Sequence, residues 1–265
     1  MKAKLLLLAI LFISTASQVV TAQLGFSHEI GVIAGPVAFQ SDFGQRNDFD
    51  TNKGNVGVGI GLVHYLNFAY RADCNCYSRD TYFNDHFKVR NEIDFHKTKL
   101  NHFGDWITSG GEESNDLRDH YGSTSVFEIG THLEYFPLSI RDFTAGAYLF
   151  APYISLGVHF VSFQPEALSR QGPIGISETT LEQFLVGDGK YGGIDDSASS
   201  TWAVAGSLGA RYKLGYLADL VIDLRWHYYA SDWVDGLNPD TSVQPSNRAN
   251  DWMFWINVGY IYYLD

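Results

Sequence analysis

From Trp252 to the chain end, every second residue is apolar: Trp252, Phe254, Ile256, Val258, Tyr260, Tyr262 and Leu264. Side chains alternate across a strand, so this run predicts a strand with one wholly apolar face. Aromatic rings cluster at both ends of that face. Rings of this kind suit the two boundaries between hydrocarbon and water, which points to a face in contact with lipid.

The same period of two recurs seven times upstream. Strands are predicted over about 26–38, 55–65, 87–96, 124–136, 150–163, 202–214 and 220–228. On one face lie Ile30, Val32 and Ala34, then Val56, Val58, Ile60 and Leu62, then Phe87, Val89, Ile93 and Phe95. Phe127, Ile129, Leu133 and Tyr135 continue that set, followed by Ile154, Leu156, Val158 and Phe160. The opposite face is polar in several strands, most clearly in the third, where Lys88, Arg90, Glu92, Asp94 and His96 follow one another.

Nowhere is there a run of 18 apolar residues, so a helical span is excluded and a membrane protein with this pattern must be a closed barrel. The predicted class is therefore all-β, an eight-stranded antiparallel up-and-down transmembrane barrel with an even number of strands. Long polar connections at about 39–54, 101–122, 164–200 and 231–251 are expected to be extracellular. Short ones, at Gly215 and at Pro137–Thr144, would be periplasmic turns, which puts both termini in the periplasm. The segment 67–85 is too long for a turn and is read as an insertion.

Eight strands enclose only enough room for side chains, so inward charges must neutralise one another. The expected interior network pairs Lys88, Arg90, Arg211, Lys213 and Arg225 with Glu29, Glu92, Asp94, Glu128, Glu134 and Asp223.

The chain start adds a compartment. Lys2 and Lys4, an apolar run from Leu5 to Ile13 and the small-residue site Val20-Thr21-Ala22 read as a secretory signal peptide over 1–22, leaving a barrel over 23–265. The net charge of −12, more negative still once two lysines leave with the leader, argues against nucleic acid as a partner.

Candidate chemistry is sparse. Cys74 and Cys76 lie two apart in the insertion, where an oxidising compartment favours a disulfide; exchange with a partner protein, or a metal site with Asp73, Asp80 or His86, are the other readings. Glycines at 57, 59 and 61 alternate within a β pattern with no helix after them, so they are small inward residues and not a dinucleotide loop. His159 and Ser162 fall on opposite faces, and His159 and Ser155 are too far apart along one strand to touch. His132 and Glu134 share the interior face with His96 and His227, but no catalytic triad can be assigned. The sequence thus assigns no catalytic, cofactor or metal residues, and the protein is read as non-enzymatic, with a lipid-modifying barrel enzyme or a small pore as alternatives.

Several blocks carry a resemblance. HEIGVIAGP, GIGLVHYLN, FAPYISLGVHFVSFQP, WAVAGSLGARYKLG and RWHYYASDWVDGL occur in the order found in the small outer-membrane barrel subunit of the type IX secretion system of Bacteroidota. The stretch HYLNFAYRADCNCYSRDTYFNDHFKVR resembles uncharacterised flavobacterial outer-membrane proteins. The resemblance implies a barrel in the Gram-negative outer membrane that anchors or assembles a secretion or gliding apparatus, with outer-membrane lipid and periplasmic secretion components as partners and no cofactor. The insertion between the second and third strands departs from that family.

Overall fold

A computed structural model describes residues 26–45, 48–68, 81–185, 192–241, 247 and 249–264. The expected leader over 1–22 and both Cys74 and Cys76 lie outside the described residues. The chain forms one closed antiparallel barrel in sequence order: β1 (Ser27–Gln40), β2 (Val56–Asn67), β3 (Phe87–Asn101), β4 (His120–Tyr135), β5 (Phe150–Ser169), β6 (Ser199–Lys213), β7 (Ala218–Tyr229) and β8 (Trp252–Tyr263). Closure is made by β8 against β1, from Glu29↔Tyr263 to Gln40↔Trp252, and it leaves no sheet edge unpaired.

Short helices sit in the connections: α1 (Phe49–Asn52), α2 (Thr81–His86), α3 (Glu112–Asp119), α4 (Ile140–Thr144) and α5 (Glu182–Leu185). Ser139 caps α4 by accepting from the backbone N–H of Asp142, and Asp48 caps α1 in the same way from Asp50.

The period of two decides what faces where. Val58, Leu156 and Leu208 are 69%, 67% and 61% exposed, although they are aliphatic residues in the middle of strands. Their neighbours along each strand are buried or half-buried. A surface of this kind is what a barrel presents to hydrocarbon. On β5 the outward apolar positions run from Phe150 to Phe160; at about 3.3 Å per residue and a tilt of roughly 40°, that makes a belt about 25 Å tall. Outward rings gather at its two edges, Phe160 against Trp202 and Trp252 against Phe254 at one, Phe87 against Tyr135 at the other.

Three strands are longer than the sequence predicts. β3 continues to Asn101, β4 starts at His120 and β5 reaches Ser169, which shortens the two connections they bound. Outward residues there are mostly polar, among them Lys97, Lys99, Ser162, Gln164 and Glu166, with Leu168 an exception, so the continuous apolar signal stops at the belt. The ladder does not stop with it, because inward residues such as Leu100, Thr124 and Ala167 remain buried.

Candidate functional site

Strand alternation delivers an inward row from every strand, and glycine makes room for the large ones. Gly59 lies under His96 and Trp255, where a Cβ would come within 2.9 Å of the indole. Removing side chains from β2 in this way lets β3 and β8 fill the lumen.

Glu29 is one hub of the interior. It accepts from Lys88 Nζ at 2.6 Å and from Arg211 Nη1 at 2.5 Å, and the Arg211 guanidinium lies 4.1 Å from the Tyr65 ring centre. Arg90 is the second hub. It donates from Nη1 to Glu134 at 2.6 Å and to Asp223 at 3.3 Å, while its Nε lies 3.0 Å from Glu92. Arg225 links the two halves of the interior, donating to Glu92 Oε1 at 2.8 Å and to Asp223 at 2.9 Å, with Asp94 at 3.5 Å.

Lys213 is also buried but forms no ion pair among the described residues; its ammonium sits over the rings of Phe143 and Tyr263 at 5.0 and 5.1 Å. In compensation there is a carboxylate absent from the expected network. Asp219 accepts from the Tyr263 hydroxyl at 2.6 Å and lies 3.6 Å from Arg211. Strand β7 begins two residues earlier than its apolar face, so the alternation that marks Asp219 as inward was the available signal.

Above this ionic stratum lies a layer of histidines. His159 Nδ1 is 2.7 Å from Glu128 Oε2, and its Nε2 is 3.0 Å from Glu92 Oε1 and 2.8 Å from His132 Nε2. His132 Nε2 is itself 3.0 Å from Glu92 Oε1. Glu128 also meets His227 Nδ1 at 3.0 Å and the Tyr229 hydroxyl at 2.9 Å, with His96 Nε2 at 4.0 Å. His132 Nδ1 lies 3.0 Å from Ser155 Oγ, which contacts Ser207 Oγ at 2.6 Å.

Ser155, His132 and Glu92 therefore stand in line, a juxtaposition invisible along any single strand. Only the register, which sets His132 opposite Gly157 and Arg90 opposite His132, brings these three strands' residues together. Both rings lie across glycines: a Cβ on Gly157 would be 2.5 Å from His132 Cγ, and one on Gly130 would be 2.6 Å from His159 Cγ.

Side chains of the described residues fill both mouths. At the end nearer the termini, Phe136 and the α4 residues Ile140 and Phe143 are buried, and Arg141 ties α4 to Asp85 of α2 at 3.0 Å. At the other end the backbone of Asp42 donates to Asp235 at 2.7 Å, Thr124 Oγ1 donates to the Val234 carbonyl at 2.6 Å, and Val234 N–H donates to Asp251 at 2.9 Å. Phe43 and Phe184 pack there against His102 and His120, whose rings meet Nε2 to Nδ1 at 3.0 Å.

Burial, together with neighbouring His120, holds His102 well below the usual histidine range. An unfolded chain binds the proton more readily, so the stability contributed by this cap is present above about pH 6.5 and lost as pH falls below it. Protection factors of the backbone around 43, 102 and 184, which divide out the intrinsic slowing of exchange towards acid, are expected to fall between about pH 7.5 and about pH 5, with His102→Phe and His120→Phe together removing most of that dependence.

One part of the outer surface departs from the apolar pattern. His64, Asn91 and Thr131 are register partners on β2, β3 and β4 and face outward, His64 and Asn91 half-buried and Thr131 exposed, and His28 contacts His64 at 3.1 Å.

No protein-family model matches the chain, and no curated protein sequence matches it. Among solved structures the chain is similar to neisserial surface protein A, at 11% identity over 90% of this chain and 98% of that one, with a TM-score of 0.45. It is also similar to the outer membrane protein OprG from Pseudomonas aeruginosa (16% identity, 89% and 96% covered, TM-score 0.44). A major outer membrane protein from Thermus thermophilus is similar as well (14% identity, 90% and 100% covered, TM-score 0.46).

Proposed function

We propose that this protein is a non-enzymatic integral outer-membrane barrel, non-conducting, that serves as a membrane anchor or assembly subunit. One observation carries the reading: a continuous exposed apolar belt surrounds an interior that charged and aromatic side chains of the described residues fill up to both mouths. Such a molecule gains from immersion in lipid and offers ions no path. The polar rung of His64, Asn91 and Thr131 within the belt supports assembly over simple anchoring, because polar groups facing hydrocarbon gain from a partner that hydrogen-bonds them. The sequence resemblance to the type IX secretion barrel names the apparatus, with the termini, α2 and α4 on the periplasmic side where its ring components would dock.

The protein is expected to stay with membranes after carbonate washing, to migrate faster on unboiled than on boiled gels, and to leave planar bilayers electrically silent. Release by carbonate, or stepwise conductance from the purified protein, would each defeat the proposal.

A lipid-active enzyme is the second reading, and the line of Ser155, His132 and Glu92 is what favours it. Acyl hydrolysis or transfer that disappears in Ser155→Ala while the folded gel band persists would establish it in place of the first.

A further inference from the structure

The interior is not electrically balanced. Among the described residues the strands bury seven carboxylates and five basic groups, so with neutral histidines the lumen is two charges negative. Every one of these carboxylates except Glu128 lies within 4.0 Å of a lysine or arginine, Glu92 and Asp94 drawing on Arg90 and Arg225 that Asp223 also shares, whereas Glu128 meets only His96, His159, His227 and the Tyr229 hydroxyl. The deficit thus falls in the histidine layer. Uncompensated charge in an enclosed, lipid-surrounded space is costly, so this layer must take up two positive charges, either as protons or as a bound cation.

In that layer three ligand atoms converge. His132 Nε2, His159 Nε2 and Glu92 Oε1 form a triangle with edges of 2.8, 3.0 and 3.0 Å. Hydrogen bonding serves this triangle poorly. One N–H can point along one edge, but two imidazole nitrogens and a carboxylate oxygen cannot each find a proton between them without two hydrogens crowding or two lone pairs facing. A cation at the usual distance of about 2.0–2.1 Å from each donor would sit roughly 1 Å to one side of their plane and see them about 90° apart. Two imidazoles and a carboxylate arranged on one face suit a divalent first-row metal.

The surroundings are those of ligands whose tautomers are held. His159 turns its other nitrogen, Nδ1, to Glu128 at 2.7 Å, and His132 turns its Nδ1 to Ser155 at 3.0 Å, which presents both Nε2 atoms to the triangle. Glu92 is steadied by Arg90 on Oε2 at 3.0 Å and by Arg225 on Oε1. Gly130 and Gly157 provide the clearance in which the two rings lie. We infer that Glu92, His132 and His159 bind one divalent transition-metal ion inside the barrel, supplying the two positive charges its histidine layer lacks.

The test uses the full chain carrying Cys74→Ser and Cys76→Ser, so that thiols contribute no metal site. It is analysed as purified in detergent and after refolding from urea with ZnCl₂ or CoCl₂. About one equivalent of zinc per chain should survive gel filtration, the cobalt form should absorb in the visible, and anomalous diffraction at the zinc edge should place the ion among these three residues. Glu128→Gln, which among the proposed ligands touches only Nδ1 of His159, should weaken zinc roughly 10- to 100-fold, and His132→Gln should weaken it further. If the variants fail to fold, the cobalt spectrum and anomalous map of the parent chain decide alone. A parent that binds neither metal stoichiometrically overturns the inference, since the deficit is then met by protons on the histidines, and an ion found elsewhere overturns it equally.

Discussion

Replacing Glu29 by glutamine is expected to destabilise the barrel by about 3–5 kcal/mol, because it removes one member of a buried ionic cluster and leaves its partners in place. Glu29 holds Lys88 on one oxygen and Arg211 on the other, all three fully buried. After substitution two cations share one carboxamide, which can accept but no longer neutralise. Urea unfolding in detergent micelles, followed by the shift between folded and unfolded gel bands, reads the loss directly. Glu166→Gln, on the exposed outer face of β5 above the belt, should change stability by no more than about 0.5 kcal/mol. Equal effects at the two sites would mean that the interior cluster does not stabilise the fold.

Leu156→Arg and Val258→Arg, each at mid-belt, should cost about 2–4 kcal/mol in a bilayer, because the guanidinium must enter hydrocarbon or drag water to itself. The same change at Ser162, an outward position on β5 just beyond the belt, should cost little. The contrast brackets the membrane edge on β5 between Leu156 and Ser162. If arginine at 156 were as harmless as at 162, the apolar belt would face something other than lipid, and the proposed location would go with it. The effect is opposite to that of the interior: outside, a charge is costly because nothing can pair with it, and inside, a charge is tolerated only because something does.

The order of strands and the inward or outward sense of each was legible from residues such as Leu156 and His159, because alternation survives in any strand regardless of its neighbours. Strand ends were legible only where the outer face is apolar, hence the late ends of β3 and β5 and the early start of β4. Most interior charges were legible from alternation, Asp219 excepted, yet their partners were not. Lys213 lies over the rings of Phe143 and Tyr263 while Arg211, two residues earlier, takes the carboxylates of Glu29 and Asp219.

By itself the sequence determined an all-β chain with one greasy and one polar face per strand, since period two is a property of the backbone alone. Which of those polar groups meet was decided only in the closed tertiary structure. Glu92, His132 and His159 come from three strands separated by up to 67 positions, and their atoms come within 3.0 Å through cross-strand register and barrel closure. Neither register nor closure is written in any one strand, because each depends on how all eight twist and shift against one another.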